Sequence, residues 1–147
     1  MRIGIGADHG GFILKKPVIE AIEEMNLEYK DYGTYSEESC DYPDIALKVT
    51  SALKDKEIDK AVLLCGTGIG ICIAANKVKG IRCAHVTDAF SAQMSAEHND
   101  ANIISMGGRI TSPEDAKEIV KAYLSAQFAG GRHQRRVDKI KQIENNN

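Results

Sequence analysis

Five short runs rich in aliphatic and β-branched residues, each separated from the next by a helix-like segment, constrain this chain more than any other feature. They are Arg2 to Ala7, Glu28 to Tyr32, Ala61 to Cys65, Arg82 to Val86 and Asn102 to Met106. Strands that alternate with helices return through crossovers and therefore pair in parallel. The expected fold is α/β: a doubly wound, Rossmann-like, five-stranded parallel sheet with helices on both faces, right-handed crossovers and a C-terminal helical extension. The helix signals are distinct. Ile45, Val49, Ala52 and Leu53 recur on one face of a segment entered through Pro43. Ser112-Pro113-Glu114-Asp115 provides a cap, a first-position proline and first-turn acids for a helix running to about Gln127. Another helix opens on the glycines after Cys65 and reaches about Asn76. Pro17 lies within the first helical segment, Phe12 to Met25, and lacks an amide proton, so that helix is expected to start late or to kink.

At 147 residues, 43% hydrophobic and 27% charged, residues 1–147 fit one domain with enough apolar material for a core. The most apolar stretch, residues 61–75, carries three glycines and is too short to span a bilayer. Met1 to His9 contains no signal-peptide pattern. Cys40, Cys65, Cys72 and Cys83 show no CxxC spacing, which points away from a zinc site or redox pair and towards a reducing, cytoplasmic setting. No repeat, low-complexity segment or linker is visible, and the Asn145-Asn146-Asn147 tail is expected to fray.

Doubly wound sheets bind ligands beyond the carboxyl ends of their strands, where strand order reverses. Four groups stand out near strand ends: Asp8-His9-Gly10-Gly11, Cys65-Gly66-Thr67-Gly68-Ile69-Gly70, His98-Asn99 before the fifth strand, and Gly107-Gly108-Arg109 after it. They are expected to converge on one sheet edge. The glycine run reads as an anion cradle at a helix N-terminus, or as a tight turn needing glycine for geometry alone. Cys65 ends an apolar strand facing those amides, a position that lowers a thiol pKa below ~8.5 and suits a nucleophile or base. A small buried hydrophobe is its other reading, and the one given to the remaining cysteines. Asp8-His9 could equally close a turn, and His98-Asn99-Asp100 could equally end a helix.

Gly4-x-Gly6 and Gly66-x-Gly68 imitate the start of a dinucleotide fingerprint, but His9 and Ile71 stand where its third glycine belongs. Asp31 could mimic the ribose-binding acid, which keeps a nucleotide-binding module as an alternative. No Gly-Lys-Ser/Thr follows either loop, so a Walker P-loop is excluded. The net charge of −2 conceals a basic C-terminal segment with Arg132, Arg135, Arg136, Lys139 and Lys141. Arg132 and Arg136 share a helical face and suit a phosphate dianion. Neither a wider basic patch nor interleaved aromatics support nucleic-acid binding.

Together with Asp41-Tyr42-Pro43-Asp44 and Asn102, these motifs resemble ribose-5-phosphate isomerase type B. That family also includes galactose-6-phosphate isomerase subunits and allose-6-phosphate isomerases, and the resemblance runs from residue 3 to about 140. It implies a metal-independent aldose-ketose isomerase without a cofactor, interconverting ribose 5-phosphate and ribulose 5-phosphate by ring opening and an enediolate. It further implies a homodimer, or a tetramer of two such dimers, with active sites shared between subunits and the basic helix of residues 132–144 at the interface. By the same resemblance, Cys65 moves the proton between C1 and C2, Thr67 moves the one between oxygens, and His98 opens the ring with Asp8 beside it. The amides of Gly66, Gly68, Ile69 and Gly70, with Asn99, would hold the enediolate. His9, Arg109, Arg132 and Arg136 would bind phosphate, the last two across the interface, and Tyr42 would line the pocket. One branch of the family replaces the cysteine by a glutamate at the position of Ile69; with Cys65 present, the cysteine branch applies. A six-carbon substrate, allose or galactose 6-phosphate, is the alternative within the family.

Overall fold

Side chains in a strand alternate between faces, and in β3 (Lys60–Cys65) both faces are buried. Ala61, Leu63 and Cys65 join one apolar cluster, while Val62 and Leu64 join the other. Burial on both faces is what a parallel sheet between two helical layers requires. The computed structural model describes residues 1–147. Its sheet is formed by β1 (Arg2–Ala7), β2 (Glu28–Asp31), β3, β4 (Cys83–His85) and β5 (Ile103–Gly107), all parallel, in the order β2-β1-β3-β5-β4. Helices α1 (Lys15–Glu24), α4 (Ala89–Glu97) and α5 (Pro113–Ser125) cover one face; α2 (Tyr42–Lys54) and α3 (Ile69–Asn76) cover the other. The α/β expectation is met. The chain leaves β1 for β2 on one side and returns to β3 on the other, so the order reverses between β1 and β3.

Pro17 is accommodated by a late start. A 3-10 turn over Phe12–Leu14 precedes α1, which begins at Lys15, so Pro17 occupies the first turn, where an amide proton has no intrahelical acceptor. Helix α5 stops short of Gln127, because Ala126 is extended (φ −86°, ψ 151°) and the chain turns so that the Ala129 amide reaches the Glu97 carbonyl at 2.9 Å. The asparagine tail contributes its first residue to a last helix, α6 (Arg132–Asn145). This helix buries only His133 and Val137, and Glu144 near its end accepts from the Gly80 amide at 2.9 Å.

Both features that imitated a dinucleotide fingerprint have packing roles. A Cβ on Gly6 would lie 2.7 Å from Val49 Cγ2 and 2.8 Å from Ile45 Cγ2, so the glycine lets α2 lie directly on β1. Asp31 pairs with the buried Lys15 ammonium at 2.7 Å and accepts from the Gly33 amide, leaving no free acid for a ribose.

Helices α1 and α5 are tied at the surface by Glu24, whose carboxylate meets Lys117 at 2.6 Å and Lys121 at 2.5 Å. The hydrogen bond from Lys117, then that from Lys121, holds the Glu24 carboxyl down at about 2, against an ordinary 4.5. A depressed acid stabilises the fold above its unfolded pKa and loses that contribution as pH falls through the folded one. Glu24→Gln is therefore expected to melt below the wild type at neutral pH and low salt. The gap should close between pH 4.5 and about 2, and also shrink with added salt, as followed by thermal denaturation.

Candidate active site

The first half of the site lies at the carboxyl edge, across the β1/β3 switch point. The Asp8 amide donates to the Leu64 carbonyl at 3.0 Å, which joins the ends of β1 and β3. Asp8 is 5% exposed, and its Oδ1 accepts from the Gly10 and Gly11 amides at 2.9 and 3.0 Å. The turn-closing reading of this acid is thus correct for one oxygen. A Cβ on Gly10 would lie 2.9 Å from the Gly66 backbone, so the first loop rests directly on the third. His9 Nδ1 accepts from the Cys40 amide at 3.2 Å, which places the ring proton on Nε2, the nitrogen left for a ligand.

After β3 the chain turns through Gly68 at φ +81°, and α3 follows. A side chain there would meet the Met106 backbone at 2.6 Å and His85 Nδ1 at 2.9 Å, so geometry alone demands glycine at this position. The same turn aims the Gly68 amide at Cys65 Sγ, 3.1 Å away, and Cys65 as a whole is 4% exposed. Thr67 is exposed, with Oγ1 accepting from the Ile69 amide at 3.2 Å. The Arg109 guanidinium lies against Gly66, where a Cβ would sit 2.8 Å from Nη1, and the Tyr42 ring lies against Gly70, where a Cβ would be 2.7 Å from Cζ. Asp8, His9, Tyr42, residues 65–70 and Arg109 therefore form one continuous surface.

His98 and Asn99 do not join it, which corrects the expectation that all four groups meet at one edge. Ala61 is level with Ile103 and Cys65 with Gly107, so residues that precede β5 lie at the amino edge. Cys65 is at the far end of strands roughly 16 Å long. At the amino edge His98 caps α4, and its imidazole stacks on that of His133, with centroids 4.1 Å apart and planes 11° from parallel. Arg132 and Arg136, one helical turn apart at the start of α6, flank His133 and are exposed. The Asn99 carbonyl accepts from Arg82 Nε at 3.0 Å, while its side chain is exposed. Asn102, part of the resemblance, bridges the Gly80 carbonyl and the Arg82 amide, both at 2.8 Å, and so has a structural role.

Ser105 and His85 escaped the sequence reading. Ser105 Oγ donates to the Gly68 carbonyl at 2.8 Å and pins the turn from beneath. His85 ends β4 beside the same glycine, and the strand-end rule applies to it as it does to Cys65. The thiol held well below the ordinary range is Cys72, through a hydrogen bond with Cys83, whose own thiol that contact and burial push up. No three His, Cys, Asp or Glu side chains are placed to hold a metal ion, and no helix is long and apolar enough to cross a membrane.

Comparison with known proteins finds relatives that match nearly the whole chain. Residues 3–140 match the family described as Ribose/Galactose Isomerase. Ribose-5-phosphate isomerase B of Escherichia coli is 48% identical over 143 residues, 97% of this chain and 96% of its own. The structure of ribose-5-phosphate isomerase B from Clostridium thermocellum superposes with a TM-score of 0.96 at 50% identity, covering 99% of both chains. That of the Mycoplasma genitalium enzyme, solved with bound ribulose 5-phosphate, superposes with a TM-score of 0.92 at 38% identity, covering 99% of this chain and 97% of that one. With its fold, its switch-point cysteine loop and this similarity along its length, the chain belongs to the Ribose/Galactose Isomerase family.

Proposed function

We propose that this isomerase interconverts ribose 5-phosphate and ribulose 5-phosphate through an enediolate, in the cytoplasm, with residues 1–147 acting as one domain. The observation that carries the reading is the Gly68 amide on Cys65 Sγ, beside the Thr67 hydroxyl, at the crevice where the strand order reverses. The relatives named for this substrate, one of them solved with ribulose 5-phosphate, support it. A cytoplasmic setting is favoured by four free cysteines.

The separation of the two edges supports a shared active site. A gap of roughly 16 Å exceeds the length of a five-carbon sugar phosphate, so one chain cannot offer both Cys65 and His98 to one substrate. In a two-fold dimer the carboxyl edge of each subunit faces the amino edge of the other, and two complete sites result. Exposed Ile69 and Ile73, on the outer side of α3 beside the loop, suit such a contact.

In that arrangement His98 of the partner subunit protonates the ring oxygen as the C1–O4 bond breaks, and the proton of the C1 hydroxyl passes to Asp8 beside it, which leaves C1 as the aldehyde. The Cys65 thiolate takes the C2 proton, and the electrons move onto O1. The Gly66 and Gly70 amides, with Asn99 of the partner subunit, hold the resulting enediolate, while the Gly68 and Ile69 amides serve Cys65 Sγ and Thr67 Oγ1. Losing one such donor commonly costs ~10²–10³ in rate. Thr67 carries a proton between O1 and O2, and Cys65 returns its proton to C1. His9 Nε2, Arg109, and Arg132 and Arg136 of the partner subunit hold the phosphate, which fixes C1 and C2 over the sulfur.

Assay of the purified chain with chelator present tests this. Ribose 5-phosphate should turn over fastest, allose and galactose 6-phosphates more slowly, and unphosphorylated ribose poorly. Faster turnover of a six-carbon ester would move the substrate assignment to that branch. Saturable NAD or ATP binding, indifferent to ribose 5-phosphate and without isomerisation, would replace the reading by a nucleotide-binding one.

A further inference from the structure

The proposed reaction leaves one buried side chain of the amino edge without a task. His133 is 9% exposed, sits one residue after Arg132 and three before Arg136, and lies flat against His98 at 4.1 Å and 11°. His98 is the C-cap of α4, anchored there by its amide on the Met94 carbonyl at 2.8 Å. That anchor fixes its backbone but not the plane of its ring; the stack on His133 supplies the plane.

The arrangement also selects charge. Burial lowers the proton affinity of His133, and charge at His98, Arg132 and Arg136 lowers it further. The uncharged form of the ring is therefore favoured beside a partner that, in the proposed reaction, gains and loses a proton. Two stacked imidazolium rings would repel, whereas a neutral ring tolerates either state of its neighbour.

We propose that His133 is a positioning residue, whose flat ring orients the His98 imidazole for opening of the cyclic aldose phosphate. The inference rests on the isomerase reading above and assigns His133 no contact with the reacting atoms. It concerns ring opening alone. Proton exchange at C1 of ribulose 5-phosphate, an open-chain ketose, passes through Cys65 and the enediolate and needs no ring chemistry.

That separation provides the test. His133→Ala and His133→Phe variants of the full chain would be compared in three measurements: net conversion of ribose 5-phosphate, deuterium uptake at C1 of ribulose 5-phosphate in D₂O, and thermal melting. His133→Ala is expected to lose roughly 10- to 100-fold in net conversion, the scale of a misplaced catalytic group, while retaining most of its deuterium uptake. His133→Phe, which keeps a flat ring, should recover most of the loss. Equal loss of conversion and uptake in His133→Ala would overturn the proposal, because a general structural defect moves both. Wild-type conversion in that variant, or a Phe variant no better than Ala, would overturn it as well. A wild-type chain that neither converts nor exchanges would overturn the isomerase reading instead, before either variant is compared.

Discussion

Replacing Cys65 by Ala is expected to lower turnover of ribose 5-phosphate by about 10²–10⁴-fold, the usual worth of a positioned general base. The same variant should lose deuterium uptake at C1 of ribulose 5-phosphate, because both processes draw on one sulfur. Its fold should survive, since Cys65 ends β3 and the truncation removes a single atom from a packed face. The Gly68 amide, however, loses its 3.1 Å acceptor. An unpaired donor costs roughly 1–3 kcal/mol, so melting should drop modestly. Cys65→Ser separates the two effects: its hydroxyl can still accept from Gly68 but holds its proton too tightly to serve as the base. A stable, inactive Ser variant is the expected result. Turnover near the wild-type level in either variant would remove Cys65 from the role.

The second large effect is a recovery. Arg136→Ala should be nearly inactive, since a charge-assisted hydrogen bond to phosphate is worth roughly 1.5–3 kcal/mol. Mixed with inactive Cys65→Ala chains and allowed to exchange subunits, it should regain activity. In a mixed dimer one site collects both lesions, while the other pairs the intact Cys65 of one chain with the intact Arg136 of its neighbour. Random pairing of equal amounts makes half the dimers mixed, with one good site in two, so about a quarter of wild-type activity should return. No recovery despite demonstrated exchange would place both residues in one subunit's site and defeat the shared arrangement.

The fold was largely legible, because its determinants are local. Apolar runs of strand length, Pro43 and Pro113 at helix starts, and the Ser112 cap each act within a few residues of themselves. Where prediction and structure part, a distant contact intervenes: α5 ends early as Ala129 turns towards Glu97, and Gly6 of β1 answers to Ile45 and Val49 of α2. Most carboxyl-edge residues were legible for a similar reason, since Asp8, His9, residues 66–70 and Arg109 come just after their own strands; Tyr42, at the start of α2, does not. His98 was misplaced because proximity to a strand was taken without its direction; the residue before a parallel strand and the residue after it lie at opposite edges. Ser105 was not legible at all. Its hydroxyl supports Gly68 through a bond between residues 37 apart in sequence, and an isolated serine within a strand carries no local mark of that role.

In the shared-site arrangement proposed above, the distance between the two edges also makes catalysis a collective property. Under that proposal a lone chain carries every group the reaction needs and cannot assemble them around one sugar. Specific activity should therefore depend on protein concentration, falling on dilution as subunits part and rising again when they are concentrated. Substrate, gripped from both sides, would slow that loss. For such a protein the strength of subunit association sets the lowest concentration at which the chain is an enzyme.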